Sequence, residues 1–345
     1  MGSNVDVVSS ITYLMGINAG NKVIHLALAL IFLISFTSIA NAGKETMIVG
    51  SRLTLNPSIY GNIVTWAETV GNGAVMYNLT TGNITGLGHV GDSPSIQGDK
   101  ITWWDDDRNI IVYNISTGKE IKICGVNTPA IYGDNVVYVR SKYGDDQPAS
   151  DQNAQYNSLY LYNLSTNKEV QLTPYKHALF VSSIYGNKIV WVQANQVNSS
   201  EWSTNISIYD IPTKGVSYIS RSGRAQGSKI YGNIVVWVED QNGSTDVYMR
   251  DIVKHETHQV TFNGNSTSPD IYGDRIVWER IYRVGDNRSS DIYMYNISTN
   301  ETTRITNSTY ASEPAIYDDK IVYIDSRNDT KYQEERDIYL YNLTA

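Results

Sequence analysis

The sequence is poor in several residue types on which stability or catalysis often depends. It has one cysteine, five histidines, eight prolines and four phenylalanines among 345 residues. Cys124 cannot form an intramolecular disulfide bond, and we predict that it is a small buried apolar residue on a strand. Basic residues are also the minority, with 27 Lys and Arg against 35 Asp and Glu and a formal net charge of −8. This balance argues against nucleic-acid binding, which needs a basic surface to meet phosphates.

Catalytic and metal-binding motifs are equally scarce. No G-x-S-x-G is present, so the nucleophile elbow of an α/β-hydrolase is missing. The segment Asp105–Asn109 resembles the start of a calcium loop, but Ile110 and Ser116 occupy positions that need a glycine and an acidic residue. His255 and His258 lack the i, i+4 spacing of the helical zinc motif. We therefore predict no catalytic residue, no metal site and no cofactor.

Residues 1–42 are predicted to be an N-terminal extension and a signal peptide. Lys22 precedes the apolar run Val23–Ile39, and Ala40-Asn41-Ala42 follows as a small-x-small cleavage signal. Met15 is an alternative start that would give a signal peptide of ordinary length. An uncleaved anchor is the alternative reading, because the run approaches the ~20 residues that span a bilayer. The chain would then contact the membrane only through this segment. Both readings predict an extracellular or cell-surface location.

The remainder of the chain, residues 43–345, repeats one phrase seven times. The phrase begins as PSIYGNIVTW at Pro57. Its further copies start at Pro94, Pro129, Ser182, Ser228, Pro269 and Pro314. Seven copies give a period of about 43 residues, which is typical of a β-propeller blade. We therefore predict an all-β fold, a single seven-bladed β-propeller whose blades each have four strands, A to D.

The two ends of this domain predict how the ring closes. The chain ends in Asp337–Asn342, which reads as a strand C that no strand D follows. Ser51–Leu55 precedes the first strand A and matches the strand D pattern of Thr303–Asn307. We therefore expect Ser51–Leu55 to complete the seventh blade and to remove the exposed edges of an open array.

Two columns recur in every blade when the copies are aligned. The strand B aromatic column is predicted to pack between blades; it comprises Trp66, Trp103, Tyr138, Trp191, Trp237, Trp278 and Tyr323. An Asn or Asp ends each strand C, where its side-chain oxygen is expected to cap the turn to strand D. Five of the fourteen N-x-S/T sequons belong to this second column. The other nine are candidate glycosylation sites: Asn83, Asn198, Asn205, Asn242, Asn265, Asn287, Asn300, Asn307 and Asn328.

Variation between blades is concentrated in the B–C loops. These loops are short in blades 1, 2 and 5 and long in the other four, at Arg140–Gln155, Gln193–Thr204, Arg280–Ser290 and Asp325–Arg336. Binding residues concentrate on variable loops that a rigid scaffold holds. We therefore predict a binding face built from B–C loops and D–A links. Its candidate residues are Trp104, Asp105, Asp107, Arg108, Tyr143, Asp145, Trp202, Tyr282 and Arg327.

The B–C–D stretch resembles the TolB-type β-propeller repeat. Blade 7 carries the pattern as Tyr323–Asn328 followed by Asp337–Asn342, and blade 6 carries it as Asp291–Asn296 followed by Ile305-Thr306. The I-Y-G-N/D phrase and the density of sequons are more similar to surface-layer-associated propellers of methanogenic archaea. The resemblance implies the propeller fold over residues 46–345. The separate α/β domain of TolB is not matched, so its role in binding a translocation protein is not carried over.

These observations predict a non-enzymatic module, monomeric and exported, that binds a cell-envelope protein or glycan through its B–C/D–A face. A polysaccharide lyase or hydrolase is one alternative, because the resemblance includes propellers that are lyases. Such an enzyme would gather histidine and acidic ligands at the central channel. An architectural envelope component is the other alternative.

Overall fold

The computed structural model describes residues 43–50, 54–68, 73–88, 91–141, 157–175, 178–198, 201–329 and 336–344. The chain divides into the units Met1–Gly43 and Lys44–Ala345, of which the second forms the propeller. The signal segment predicted for residues 1–42 lies outside the described residues and stays a prediction. In the part that is described, no helix is long and apolar enough to cross a membrane.

The described residues form 28 strands, grouped into seven antiparallel sheets of four strands each. This confirms the predicted seven-bladed β-propeller. In chain order the strands are β1 (Lys44–Val49), β2 (Thr54–Tyr60), β3 (Ile63–Glu68), β4 (Gly73–Asn78), β5 (Ile84–Gly86), β6 (Gly91–Gln97), β7 (Lys100–Asp105), β8 (Asn109–Asn114), β9 (Lys119–Cys124), β10 (Val126–Tyr132), β11 (Asn135–Ser141), β12 (Asn157–Asn163), β13 (Lys168–Gln171), β14 (Ala178–Tyr185), β15 (Lys188–Gln196), β16 (Trp202–Asp210), β17 (Gly215–Tyr218), β18 (Ala225–Tyr231), β19 (Ile234–Gln241), β20 (Ser244–Asp251), β21 (Glu256–Gln259), β22 (Ser266–Tyr272), β23 (Arg275–Val284), β24 (Asn287–Asn296), β25 (Glu301–Arg304), β26 (Ala311–Tyr317), β27 (Lys320–Asp325) and β28 (Asp337–Asn342). Blades 1 to 6 take four consecutive strands each from β2 onward, and blade 7 has the order β1-β28-β27-β26.

An N-terminal strand closes the ring, but it is not the segment that the sequence suggested. Strand D of blade 7 is β1, which pairs with β28 from Lys44 opposite Asn342 to Val49 opposite Ile338. Thr54 and Leu55 belong instead to β2, the strand A of blade 1, and residues 51–53 lie outside the described residues. The prediction failed because a strand D is short and half exposed, so its pattern is weak and could be matched several residues too late.

The apolar core lies between neighbouring blades. Trp191 of blade 4 packs with Val137 and Leu159 of blade 3, and Trp237 of blade 5 packs with Val190 of blade 4. The whole strand B column is at most 3% exposed, which confirms its predicted packing role. The column comprises Trp66, Trp103, Tyr138, Trp191, Trp237, Trp278 and Tyr323. Burying an aromatic ring in each blade gives the ring of blades its largest hydrophobic contribution.

The strand C column caps its turn as predicted. In blade 1, Asn78 Oδ1 accepts hydrogen bonds from the backbone N–H groups of Thr80 and Thr81, at 2.9 and 3.1 Å. In blade 4, Asp210 accepts one from the N–H of Thr213 at 2.9 Å. Because Asn and Asp both offer this oxygen, they interchange in the column. The five sequons of this column are therefore explained by turn geometry.

Two of the predicted long B–C loops are extended strands. In blade 4, β15 and β16 continue pairing as far as Gln196 opposite Trp202. In blade 6, β23 and β24 pair as far as Val284 opposite Asn287. The paired B and C strands of these two blades are longer than those described in the other blades, so the predicted variability takes the form of paired strands. The corresponding loops of blades 3 and 7 lie partly outside the described residues, at 142–156 and 330–335.

Cys124 lies on a strand as predicted, at the end of β9, but its predicted burial is wrong. The residue is exposed, because strand D is the outer strand of a blade. Its carbonyl oxygen accepts hydrogen bonds from the Arg140 guanidinium, at 2.8 Å from Nη2. This hydrogen bond joins the end of β9 in blade 2 to β11 in blade 3.

Candidate functional site

A central channel of 870 Å³ runs along the axis of the ring and is lined by the strands A. Each of these strands contributes the same short segment, which is Asn56–Tyr60 in blade 1. Most of the lining is uncharged: isoleucines, valines and a phenylalanine stand beside prolines, serines, threonines, alanines and tyrosines. The hydroxyl-bearing and aromatic residues of this wall suit a polyhydroxylated ligand.

Three charged side chains interrupt this wall, on three consecutive blades. Among the described residues that line the channel, the charged ones are Lys229 of blade 5, Asp270 of blade 6 and Glu313 of blade 7. Lys229 and Asp270 occupy the same position of strand A, where the other blades have only serine or alanine. Because the other five blades have a small neutral residue at this position, folding of a blade does not require a charge there. We take these three residues as the candidate site.

Asp270 faces the channel from β22 and is partly buried there. Its carboxylate accepts a hydrogen bond from the backbone N–H of Ile316 on β26, at 2.9 Å. Desolvation by burial raises the pKa of Asp270, while the nearby positive charge of Lys229 and the backbone hydrogen bonds act in the opposite direction. A raised pKa favours the protonated form of a carboxyl group, which is the form that a general acid needs.

Glu313 lies where the ring closes between blades 7 and 1. Its Oε2 accepts a hydrogen bond from the backbone N–H of Asn56 at 2.7 Å. Glu279 of β23 lies behind it and accepts from the N–H of Glu313 at 3.5 Å. Burial raises the pKa of Glu279, and the negative charge of Glu313 adds to this shift. The channel wall thus holds two carboxyl groups, Asp270 and Glu313, and Glu279 lies behind Glu313 outside the channel lining.

The backbone next to the site is strained in the same way in four blades. Asn56, Ser93, Ser268 and Glu313 have φ between 51 and 54°, and a proline follows each of them. Non-glycine residues rarely adopt the left-handed region, and a following proline restricts them further. The register of strand A shifts at this point, as at Leu55/Ser58. Bulges and strained residues of this kind concentrate beside functional sites.

Neutralising Asp270 is expected to stabilise the protein at neutral pH. Because burial raises its pKa above 3.8, the folded state binds this proton more tightly than the unfolded chain does. The stability contribution is therefore complete below about pH 3.8 and is lost as pH rises through the folded-state pKa. Asp270→Asn should raise the thermal midpoint at pH 7 by about 2–4 °C, the shift that ~1 kcal/mol gives.

The measurement is thermal unfolding at pH 7 and at pH 3.5, with the exposed Asp106→Asn as the control. At pH 3.5 the advantage of Asp270→Asn should become small, since the wild-type carboxyl is then protonated in the folded state and mostly protonated in the unfolded chain. An equal gain at both pH values would contradict the proposed cause.

A ring of tyrosines surrounds one end of the channel. Each strand A ends in this position, and six of the seven blades place a half-exposed tyrosine there: Tyr60, Tyr132, Tyr185, Tyr231, Tyr272 and Tyr317. Neighbouring ring centroids are 4.5–4.9 Å apart. Blade 2 has Gln97 instead, whose Oε1 accepts a hydrogen bond from the N–H of Gly133 at 2.8 Å.

The sequence-predicted binding residues of blade 2 lie on the β7–β8 hairpin. Trp104 is half-buried, while Asp105 is buried and accepts a hydrogen bond from the N–H of Asn109 at 2.7 Å. Asp107 is exposed at the tip, and Arg108 has a left-handed φ of 62°. Asp105 therefore shapes the hairpin rather than presenting a free carboxylate.

The remaining predicted residues are spread over four blades. Tyr143 and Asp145 lie outside the described residues, and Trp202 is 38% exposed at the start of β16. The Tyr282 hydroxyl donates to the buried carboxylate of Asp291, and Arg327 forms an ion pair with Glu45 at 2.8 Å. None of the described candidates lines the central channel. Their role in binding stays a prediction, and the structure does not bring them together.

Most of the candidate glycosylation sites are accessible. Asn205 is only partly exposed, and its Oδ1 accepts a hydrogen bond from the N–H of Gly223 at 3.2 Å. The other eight are exposed: Asn83, Asn198, Asn242, Asn265, Asn287, Asn300, Asn307 and Asn328. Exposure permits modification, which itself stays a prediction.

Sequence reasoning missed the channel residues although the signal was present. The position before Ile-Tyr in strand A is Ser58, Ser95, Ala130, Ser183, Lys229, Asp270 and Ala315 along the chain. Two adjacent blades with opposite charges in a column of small residues stand out once that column is inspected.

Comparison with known proteins gives structural neighbours only. Neither a protein-family profile nor a curated protein sequence matches the chain. An oligogalacturonate lyase in complex with manganese is 13% identical, with a TM-score of 0.65 over 87% of this chain and 93% of that one. The oligogalacturonate lyase of Vibrio parahaemolyticus is 12% identical, with a TM-score of 0.64 over 89% and 95%. The β-propeller domain of the Trilobed protease from Pyrococcus furiosus, which has an open velcro topology, is 14% identical, with a TM-score of 0.62 over 86% and 98%.

These neighbours correct the functional prediction. The expectation of a non-enzymatic protein- or glycan-binding module is contradicted, because two of the three neighbours are enzymes whose chains are matched over more than nine-tenths of their length. At this level of identity the likeness establishes the β-propeller fold and no specific activity. The predicted kinship with surface-layer propellers of methanogenic archaea stays a prediction.

One of these neighbours is in complex with manganese, and the described residues of this chain offer no matching group of metal ligands. Across the described ranges, no group of three or more His, Cys, Asp or Glu side chains is arranged to hold a metal ion. His89 and His177 lie outside those ranges. The described residues therefore do not fit such a metal, and the histidines expected of a lyase at the central channel are not among the described residues that line it.

Proposed function

We propose that the protein is an exported enzyme that cleaves uronate-containing glycans by β-elimination in its central channel. The observation that carries this proposal is the presence of one cation and two carboxylates on consecutive blades in an otherwise uncharged channel wall. The oligogalacturonate lyases among the structural neighbours support the same reaction class by analogy. Export is part of the proposal and rests on the signal-peptide pattern of residues 1–42.

Each charged residue has a role that the reaction requires. Lys229 pairs with the substrate carboxylate and stabilises the negative charge that develops when the adjacent C5–H bond breaks. Glu313 accepts that proton as the general base. Asp270, whose pKa is raised by burial, donates its proton to the leaving glycosidic oxygen as the general acid.

The step balances without a further reactant. The electron pair of the C5–H bond forms the C4=C5 double bond as the C4–O bond breaks. One proton moves from C5 to Glu313, and one moves from Asp270 to the leaving oxygen. Transfer of a proton from Glu313 to Asp270 through solvent restores both groups.

The test is incubation of the purified chain with oligogalacturonate, with and without added Mn²⁺. β-Elimination gives a product with a conjugated double bond, which is read as new ultraviolet absorbance together with new reducing ends. Hydrolysis would give reducing ends without the absorbance and would contradict the elimination chemistry. If neither signal appears with any of a panel of uronate-containing glycans, the proposed function is wrong.

A further inference from the structure

The hairpin that joins strands B and C of blade 6 carries two arginines directly opposite each other. In the pairing of β23 with β24, Arg283 lies opposite Arg288. Both residues are exposed. Like charges that face each other across a pair of strands lower the stability of the hairpin. The pair therefore opposes folding, which indicates that the two charges serve a purpose other than stability.

Neither guanidinium group is neutralised within the protein. In the part of the chain that the structure describes, no hydrogen bond or ion pair joins the guanidinium of Arg283 or Arg288 to another group. Arg304 of the same blade differs, because it forms an ion pair with the buried carboxylate of Asp291 at 2.5 Å. Two unpaired guanidinium groups on one hairpin are suited to binding carboxylates, which they contact through two hydrogen bonds at once.

The length of the hairpin does not require this positive charge. The other extended hairpin, in blade 4, has Glu201 as its one charged residue between positions 193 and 204. Residues 280–290 of blade 6 contain three arginines and one acid, Asp286, in a chain whose formal net charge is −8. The positive charge is therefore specific to the hairpin of blade 6.

The arginine pair lies on the side of blade 6 that faces blade 7. Trp278 packs against blade 5, and side chains alternate along a strand, so Glu279 and Arg283 both point the other way. Burial raises the pKa of Glu279, and the positive charge of Arg288 opposes this rise. Glu279 in turn accepts a hydrogen bond from the backbone N–H of Glu313. Arg288 is therefore within electrostatic range of the group that lies behind the proposed general base.

An exposed aromatic ring lies close to the arginine pair. Tyr310 is 51% exposed, in the link between blades 6 and 7. It forms a parallel bridge with Ser290, which is two residues from Arg288 on the same side of β24. A tyrosine offers a sugar ring both an apolar face and a hydroxyl group. Asn287 points to the opposite side of β24, so a glycan on that sequon would leave the arginines accessible.

We propose that Arg283, Arg288 and Tyr310 form a second binding site for a polyuronate chain, outside the channel. The inference rests on the proposed function, which supplies the identity of the ligand. A polyuronate whose reacting sugar lies at Glu313 carries a carboxylate on each further sugar, and the arginines bind these groups. A long chain is then held at two places, whereas a short oligomer fills the channel alone.

The experiment measures polygalacturonate binding to the full chain by calorimetry, in a Glu313→Gln background that lacks the proposed base. Saturable binding is expected, and fully methyl-esterified polygalacturonate, which has the same backbone without the charges, should bind more weakly. Arg283→Gln with Arg288→Gln should weaken polygalacturonate binding by about five- to thirty-fold, or ~1–2 kcal/mol for two ion pairs with the ligand. Lys214→Gln with Lys254→Gln removes the same charge from exposed C–D turns of blades 4 and 5 and should leave binding unchanged.

Two further measurements separate binding from folding and from catalysis. The double arginine variant should be at least as stable to heat as the wild type, because two opposed like charges are removed. With Glu313 intact, this variant should show a raised KM and an unchanged kcat for the polymer. The shortest oligogalacturonate that is cleaved should be unaffected.

The outcomes distinguish this inference from the proposed function. If the wild type eliminates no uronate-containing glycan, the proposed function is wrong, and calorimetry still decides whether the arginines bind polygalacturonate. The inference is overturned if polygalacturonate does not bind, if the methyl-esterified polymer binds equally well, or if the arginine and lysine variants lose affinity equally.

Discussion

Removing β1 is expected to lower the thermal midpoint by roughly 10 °C or more and to make the protein aggregate. A chain that starts at residue 51 lacks the strand that pairs with β28 and leaves that edge exposed. It also loses Val49, which is 5% exposed in a cluster with Trp66 and Ile338. A loss of at least ~4 kcal/mol is typical of such disruption, and each kcal/mol shifts the midpoint by about 2–4 °C.

Calorimetry and light scattering on chains that start at residues 43 and 51 provide the measurement. The chain that starts at residue 43 keeps β1 and should unfold in one transition as a monomer. If the shorter chain were equally stable and monomeric, closure by β1 would contribute nothing, and the ring would behave as an open array.

Two glutamates with matching contacts allow the contribution of ring closure to stability to be measured separately from that of the ion pair. Glu45 on β1 accepts the Tyr323 hydroxyl and binds the Arg327 guanidinium through two hydrogen bonds of 2.8 Å. In blade 3, Glu169 accepts the Tyr138 hydroxyl and binds Arg140 in the same way, at 2.7 and 2.8 Å. The chemistry is the same, but the strand of Glu169 is held covalently at both of its ends within the ring.

Glu45→Ala should therefore destabilise the protein more than Glu169→Ala, because only the first releases a terminal strand. The hydrogen bond from Arg327 lowers the pKa of Glu45 below 4.5. Its contribution is thus present above that pH and is lost as pH falls through the lowered pKa. Equal losses for the two variants would show that the ion pair is worth the same wherever it occurs.

The scaffold was predictable from the sequence because each of its requirements recurs seven times. Trp66 and its counterparts repeat at a fixed period. A residue that every blade requires is expected to pack between blades. The exact closing strand was not predictable, because Lys44–Val49 lacks the aromatic and turn residues that mark strands A and B. This segment becomes the closing strand because it pairs with β28 in the folded ring, and not because of its local sequence pattern.

The candidate site was harder to predict for the opposite reason. Lys229, Asp270 and Glu313 are functional candidates because they break the repeat, and each is separated from the next by more than forty residues of sequence. Only closure of the ring brings their strands to one channel. The tyrosine ring is visible in the sequence as a repeated Ile-Tyr pair, but its spacing around an axis is a property of the closed fold.

Substitution of each of the three charged channel residues is expected to slow elimination strongly without unfolding the protein. Glu313→Gln and Asp270→Asn should each lower kcat by about 10²- to 10⁴-fold, the usual contribution of a general base or acid. Lys229→Met should raise KM as well as lower kcat, because it removes the partner of the substrate carboxylate. Rates are measured with whichever uronate-containing glycan gives the elimination signal. Glu256→Gln and Lys254→Met change exposed residues of blade 5 outside the channel and serve as matched controls.

The pH profile of Lys229→Met distinguishes a chemical role from a structural one. The positive charge of Lys229 lowers the pKa of Asp270 against the larger effect of burial. Its removal should raise that pKa further, so the alkaline limb of the residual activity moves to higher pH. Asp270→Asn should be more stable than the wild type at pH 7 and yet inactive, the combination expected where stability is sacrificed for function. An unmoved alkaline limb, or an active Asp270→Asn variant, would remove Asp270 from the role of general acid.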